Sequence, residues 1–215
     1  MINFYSGTPG SGKSLNVART IANRLNNNRD IITNMAINLD NVKKTRLFLK
    51  RKLGSYTYFK NSDLTVDFLY KYAEDNHIRG KEGQTLIIID EAQMLFSPTI
   101  VKLKNQENRN YRVDWLEFFT QHRRLGYDII LISQFDKLID AQVRCLFEYN
   151  VIHRKVNNFK IGRILSLFKI HLFVTSTYWY GIREKCGNEF FLYSKKYNTI
   201  YDSYEFQTRN IVRSA

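Results

Sequence analysis

The run Gly7-Thr8-Pro9-Gly10-Ser11-Gly12-Lys13-Ser14 satisfies G-x-x-x-x-G-K-[ST] without deviation. Glycines at these positions let successive backbone N–H groups curl around phosphate oxygens, backed by the N-terminus of the following helix. Lys13 is then placed to reach the β- and γ-phosphates, and the Ser14 hydroxyl to ligate Mg²⁺. A chance match in a chain of this kind has a probability on the order of one in a hundred. The expectation is a nucleotide site at Gly7 to Ser14. No motif reads the base, so ATP and GTP stand equal at this point.

The stretch TLIIIDEAQ supplies a second half. Asp90, at the end of an apolar strand, is expected to hold the Mg²⁺ shell. Glu91 beside it is the candidate to polarise an attacking water, a general-base role for a carboxylate next to a metal. Such an arrangement implies hydrolysis rather than transfer to a small acceptor. DIILISQ repeats the pattern, with Gln134 at the tip as a candidate contact for the γ-phosphate or the water. Arg123 and Arg124 before this strand, and Arg144 after it, are candidate arginine fingers across a subunit interface. His77, His122, His153 and His171 show no metal-ligand spacing.

These residues need strands to carry them. Ile2 to Ser6, Asp30 to Asn34, Thr85 to Asp90, Asp128 to Ser133 and Glu148 to Arg154 read as strands, the third and fourth apolar enough for burial on both faces. Leu15 to Asn28 reads as a helix, with Leu15, Ala18, Ala22 and Leu25 at helical spacing. A second helix, capped by Ser62 or Asp63, runs to about Asn76 with Leu64, Phe68 and Tyr72 inward. Further helices are expected at Val113 to Leu125, ending on a left-handed Gly126, and at Lys137 to Leu146. Residues 97–112 lack periodicity and read as a loop. The alternation predicts an α/β fold with a mainly parallel sheet, a core over residues 1–155, and a β-leaning extension over 156–215 packed on the same domain.

With 215 residues, 44% hydrophobic and 14% aromatic, the chain is expected to be globular rather than disordered. The 33 Lys and Arg against 20 Asp and Glu leave a charge of +13, which calls for a polyanionic partner, nucleic acid or an anionic membrane surface. Seven of the cations lie between residues 43 and 60: Lys43, Lys44, Arg46, Lys50, Arg51, Lys52 and Lys60. Phe48, Tyr56, Tyr58 and Phe59 interleave with them, the makeup of either a single-strand binding surface or an exposed basic face over core aromatics. Cys145 and Cys186 are too few for a disulfide framework. The best membrane-span candidate, Ile164 to Tyr180, is interrupted by Lys169 and His171 and falls short of ~20 apolar residues.

Four elements in order, GTPGSGKS, DEAQ after a hydrophobic strand, HRRLGYDIILISQ and DAQVR ending at Arg144, make residues 1–155 resemble the N-terminal ATPase domain of the zonular occludens toxin-like (Zot) proteins. These are the filamentous-phage assembly proteins also called gene I proteins. The resemblance implies a RecA/FtsK-like P-loop NTPase core with an extra strand between the loop strand and the Asp90 strand. It also implies ATP with Mg²⁺, and a ring-like homo-oligomer in the host cytoplasm at the inner membrane. The partners it implies are other phage assembly proteins and phage single-stranded DNA or its nucleoprotein complex. By position, Arg123 and Arg144 look like the family's arginines. Members usually carry a transmembrane segment after this domain, so the chain is expected to be a cytoplasmic fragment or a tailless member. Two other readings compete: a P-loop small-molecule kinase, and a nucleotide-gated assembly module with little turnover.

Overall fold

The computed structural model describes residues 1–45, 52–158 and 170–201. One eight-stranded sheet organises them, in the order β3-β2-β4-β5-β1-β6-β7-β8. Its members are β1 (Ile2–Ser6), β2 (Asp30–Thr33), β3 (Tyr56–Tyr58), β4 (Thr85–Ile89), β5 (Tyr127–Ile132), β6 (Tyr149–Lys155), β7 (Leu172–Trp179) and β8 (Lys185–Leu192). The pairings from β3 through β6 are parallel, whereas β7 and β8 add an antiparallel hairpin on the β6 side. The loop strand β1 and the acidic strand β4 are separated by β5, the extra strand that the resemblance implied.

Alternate side chains of the central strands feed two cores, as buried parallel strands require. Leu86, Ile88, Ile130 and Ile132 face α1 (Lys13–Asn26), meeting its Val17, Ala18, Ile21 and Leu25. Ile87, Ile89, Ile129 and Leu131 face the opposite way, toward Leu69 and Ala73 of α3 (Val66–Asn76) and Trp115, Phe118 and Phe119 of α6 (Tyr111–Gln121). The shorter helices are α2 (Leu39–Lys44), α4 (Gln93–Phe96), α5 (Pro98–Glu107), α7 (Ala141–Arg144) and α8 (Lys195–Asn198). No helix among the described residues is long and apolar enough to cross a membrane. Of the Ile164 to Tyr180 stretch, residues 172–179 are strand and residues 164–169 lie outside the described set.

Several local expectations need correcting. Residues 98–107 are helical, not loop: Ser97 accepts a hydrogen bond from the Ile100 N–H at 3.4 Å, and Pro98 takes the first turn, where its missing donor costs nothing. Only Val101 of that helix is buried, so the sequence carries no apolar period there. The cap of α3 is Thr65, which accepts from Phe68 N–H at 3.1 Å, and its fully inward residues are Leu69 and Ala73. Phe68 and Tyr72 sit one position off that stripe, half-buried against the same core. The helix expected at Lys137 to Leu146 is broken. Asp140 accepts from Gln142 N–H at 3.1 Å, donates its own N–H to Phe96 O at 2.7 Å and pairs with Arg112 at 3.0 Å, so it caps a new short helix instead of continuing an old one. The helix expected from Val113 runs Tyr111–Gln121, and Gly126 beyond it is left-handed at φ +87.

Candidate nucleotide site

The loop leaves the carboxyl end of β1 and enters α1. Gly7, Gly10 and Gly12 have φ of +145, +74 and +94, values that L side chains rarely adopt. Space adds a second requirement at two of them. A Cβ on Gly7 would stand 2.6 Å from His153 O, and one on Gly12 would stand 2.6 Å from the Phe173 ring. Ser11 N–H donates to Thr8 O at 3.2 Å, and the first i→i−4 bond at the loop runs from Asn16 N–H to Gly12 O at 3.0 Å, which leaves the N–H groups of Lys13 to Leu15 without a carbonyl one helical turn back. They form a ready donor cradle for anionic oxygens. Thr8, Pro9, Gly10 and Ser14 are exposed on its rim, while Ser11 Oγ is buried without a partner among the described residues.

Lys13 folds over this loop, donating to Gly7 O and, at 3.3 Å, to Thr8 O. Burial pushes its ammonium below the usual lysine range, and the Asp90 and Glu91 carboxylates pull it back up. The acidic strand end therefore faces the loop lysine. Gln134 leaves β5 between them in sheet order, half-buried, its carbonyl accepting from Gly7 N–H at 3.2 Å. Gly7 to Ser14, Asp90, Glu91 and Gln134 thus gather at one end of the sheet.

Asp90 is held by more than its strand. Asn34, at the end of β2, accepts from Asp90 N–H at 2.7 Å and donates to Asp90 O at 2.8 Å. The Asp90 carboxylate accepts Glu91 N–H on Oδ1 at 3.0 Å and Tyr201 O–H on Oδ2 at 3.5 Å. Burial, then the Glu91 charge, push its pKa from 3.8 up to about 6, against the opposing pull of the Glu91 N–H, Lys13 and Tyr201. Glu91 is exposed and left-handed at φ +50, a conformation costing roughly 1–3 kcal/mol for a residue with a side chain. Gln93 donates to its Oε2. A strained carboxylate held at the mouth of a phosphate cradle is the kind of outlier that catalytic sites carry.

The arginines lie elsewhere. Arg123 precedes β5, whose six residues at about 3.3 Å each place it roughly 20 Å from the loop end of the sheet. There it pairs with Glu148 at 2.6 Å, beside the N-terminal ammonium and His122. Arg124 is exposed next to it. Arg144 ends α7, half-buried, with Nε enclosed without a partner among the described residues and its charge felt by Tyr180. Neither Arg123 nor Arg144 is gathered to the loop of its own chain.

Besides Tyr201, three contributors escape sequence reading. Asn34 clamps Asp90 from 56 positions away. His153 underlies the loop: its Nε2 stands 3.0 Å from Asn16 Nδ2, its Nδ1 3.2 Å from Ser6 O, and burial lowers its pKa to about 4, so it is neutral there. Phe173, stacked on Phe191 at 5.4 Å, walls Gly12 from the hairpin, which Arg19 ties to α1 through Glu189 and the Phe191 ring. The one available signal is DIITN, whose terminal Asn34 parallels the polar tips of β4 and β5. Of the basic segment, residues 46–51, with Arg46, Phe48, Lys50 and Arg51, lie outside the described set. Phe59 is core and the Tyr56 hydroxyl donates to Met35 O at 2.8 Å, leaving Tyr58 as the exposed ring.

Hard oxygen donors at Ser14 and Asp90 fit a cation such as Mg²⁺, which takes one or two protein ligands and completes its shell with phosphate and water. Among the described residues no cluster of three or more His, Cys, Asp or Glu forms a metal cage by itself. A parallel α/β sheet with this loop and acidic strand end defines a P-loop NTPase fold. A DnaB-like replicative helicase shares it at TM-score 0.57 and 11% identity, over 92% of this chain and 57% of that one. The zonular occludens toxin (Zot) family model matches residues 1–197, and the chain belongs to that family. The gene 1 protein of Enterobacteria phage f1 is 27% identical over 172 residues, 79% of this chain and 46% of the relative. The chain thus spans about half the length of that curated relative. The N-terminal domain of zonular occludens toxin from Neisseria meningitidis is 19% identical, over 94% of this chain and 98% of that domain, at TM-score 0.49.

Proposed function

We propose that the chain is the ATP-hydrolysing motor domain of a filamentous-phage assembly protein, working as a ring-like homo-oligomer at the cytoplasmic face of the host inner membrane. Residues 1–155 form the motor core and 156–215 its extension. The observation that carries the reading is the gathering of the Gly7–Ser14 loop, Asp90, Glu91 and Gln134 at one sheet end, with Lys13 inside the field of both carboxylates. Membership of the Zot family supplies the setting.

Loop N–H groups and Lys13 bind the β- and γ-phosphates, and Ser14 and Asp90 would hold Mg²⁺. The cation, when bound, neutralises charge on the phosphate oxygens. Glu91 takes a proton from the attacking water, and Gln134 orients that water beside the γ-phosphate. The phosphorus–oxygen bond to ADP breaks as the water oxygen bonds, releasing ADP and phosphate. A cation from a neighbouring subunit completes the charge balance, with Arg123, at the far end of the sheet, and Arg144, beside Tyr180, as candidates. A head-to-tail interface is the symmetry that joins such opposite ends. The excess of 13 positive charges suits phage single-stranded DNA or its nucleoprotein complex as cargo. Other phage assembly proteins and the host inner membrane complete the machine.

Phosphate release from ATP by wild type, Lys13→Ala and Glu91→Gln tests the reading. Release by wild type and its loss in both variants is expected. Transfer of phosphate to a small acceptor without free phosphate would replace the motor by a kinase. Nucleotide binding without turnover would leave a gated assembly module.

A further inference from the structure

Four atoms of Asp90 are engaged within the chain. Asn34 takes the backbone N–H and carbonyl, Glu91 N–H takes Oδ1, and the Tyr201 hydroxyl takes Oδ2. The last partner comes from 111 positions away and from a different part of the fold.

The segment delivering it is firmly docked. Ile200 has no exposed surface and belongs to the core made with Val17, Ile21 and Leu25 of α1 and Ile31 of β2. Asn38 N–H donates to Ile200 O at 2.9 Å, and Asn41 Nδ2 donates to Thr199 O at 2.8 Å. Lys196 Nζ donates to Thr45 O at 3.2 Å, and Tyr201 itself forms an antiparallel bridge with Ile37. The chain from α8 to Tyr201 thus crosses α1 and α2 and ends with its phenol on the loop-facing carboxylate.

We propose that Tyr201 is a positioning residue for Asp90, and that the docked segment Lys195–Tyr201 is part of the outer shell of the cation site. Donors on both carboxylate oxygens fix the plane of the group and leave the remaining lone pairs for a cation shell. Outer-shell hydrogen bonds of this kind set ligand orientation, and their removal weakens metal affinity. At 3.5 Å the contact is long for an O–H···O bond, and it favours the ionised carboxylate that a cation needs. Linkage makes the effect reciprocal: cation bound at Asp90 tightens the docking of the segment, and undocking the segment weakens the cation. The site thereby senses the position of the C-terminal chain. The inference rests on Asp90 being the cation-side carboxylate of the motor.

Tyr201→Phe removes only the hydroxyl. The probe is a fluorescent, non-hydrolysable ATP analogue, its binding titrated with Mg²⁺ and repeated in EDTA. The expected result is a rise of about tenfold or more in the Mg²⁺ concentration for half-effect, with EDTA affinity and melting temperature unchanged. Ile200→Ala, which loosens the docked segment, is expected to raise the Mg²⁺ requirement similarly while lowering the melting temperature. A Tyr201→Phe protein that titrates like wild type overturns the inference, as does equal weakening with and without Mg²⁺. If wild type itself binds the analogue with no Mg²⁺ effect, the role of Asp90 in the motor fails first, and this outcome is visible before any variant is made.

Discussion

Asp90→Asn is expected to stabilise the metal-free protein while disabling it. The carboxyl has a folded pKa of about 6 against 3.8 ordinarily, chiefly because it is buried beside Glu91. A carboxyl raised in this way destabilises the fold when ionised. The cost is absent below 3.8, grows between 3.8 and about 6, and is complete above. Roughly two pKa units at 1.36 kcal/mol each give a ceiling of about 3 kcal/mol at pH 8. For a chain of this size that corresponds to about 6–12 °C in melting temperature. Asparagine keeps both Asn34 contacts, which go to backbone atoms, and can still accept from Glu91 N–H. The assay is thermal unfolding of wild type and variant in EDTA at pH 8 and pH 4.5. At the lower pH about a third of the gain should remain, since the unfolded carboxyl is still mostly ionised there. His153 also titrates in this range but does so in both proteins, so the difference isolates Asp90. A variant that melts at or below wild type at pH 8, or whose advantage is undiminished at pH 4.5, refutes the electrostatic account.

Other consequences are open to measurement. Glu91→Gln should lower turnover by about a hundredfold or more while nucleotide affinity persists, which equilibrium binding beside single-turnover kinetics will resolve. Gly12→Ala should abolish nucleotide binding and lower stability by more than about 1 kcal/mol, and adding Phe173→Ala should not restore it, because φ +94 remains strained after the clash is gone. Because His153 is buried neutral with a pKa of about 4 against 6.5 ordinarily, its contribution to stability should be lost as pH falls from 6.5 toward 4; in an Asp90→Asn background, which removes the opposing Asp90 titration, that limb should appear in acid-unfolding curves and His153→Gln should flatten it. Single-stranded DNA affinity should fall steeply between about 50 and 200 mM salt, with a log–log slope set by the number of phosphates contacted; constancy would remove DNA as a direct partner.

Much of the site is legible because its chemistry is local. Gly7 to Ser14 is one contiguous run, and its glycines are demanded by backbone angles that any cradle of this type imposes. The apolar strands β4 and β5 announce themselves by burial on both faces, and each delivers its polar tip to the loop end. What stayed hidden acts across distance. Asn34, His153, Phe173 and Tyr201 reach the site through contacts between segments far apart in sequence, which no periodicity encodes. Helix α5 escaped for the opposite reason: with Val101 alone buried, a cap and a proline specify it rather than an apolar stripe. The arginines could be found as residues but not located, since their distance from the loop emerges only when the parallel register of β1 and β5 is known.

The central claim is a motor whose site is completed by a neighbouring subunit, and turnover against protein concentration tests it most directly. With both Arg123 and Arg144 away from their own loop, phosphate release per chain should rise with concentration until oligomers saturate. It should stay low in dilute protein. A rate per chain that is constant and full at every concentration would contradict the account, because a single copy would then hold everything hydrolysis needs.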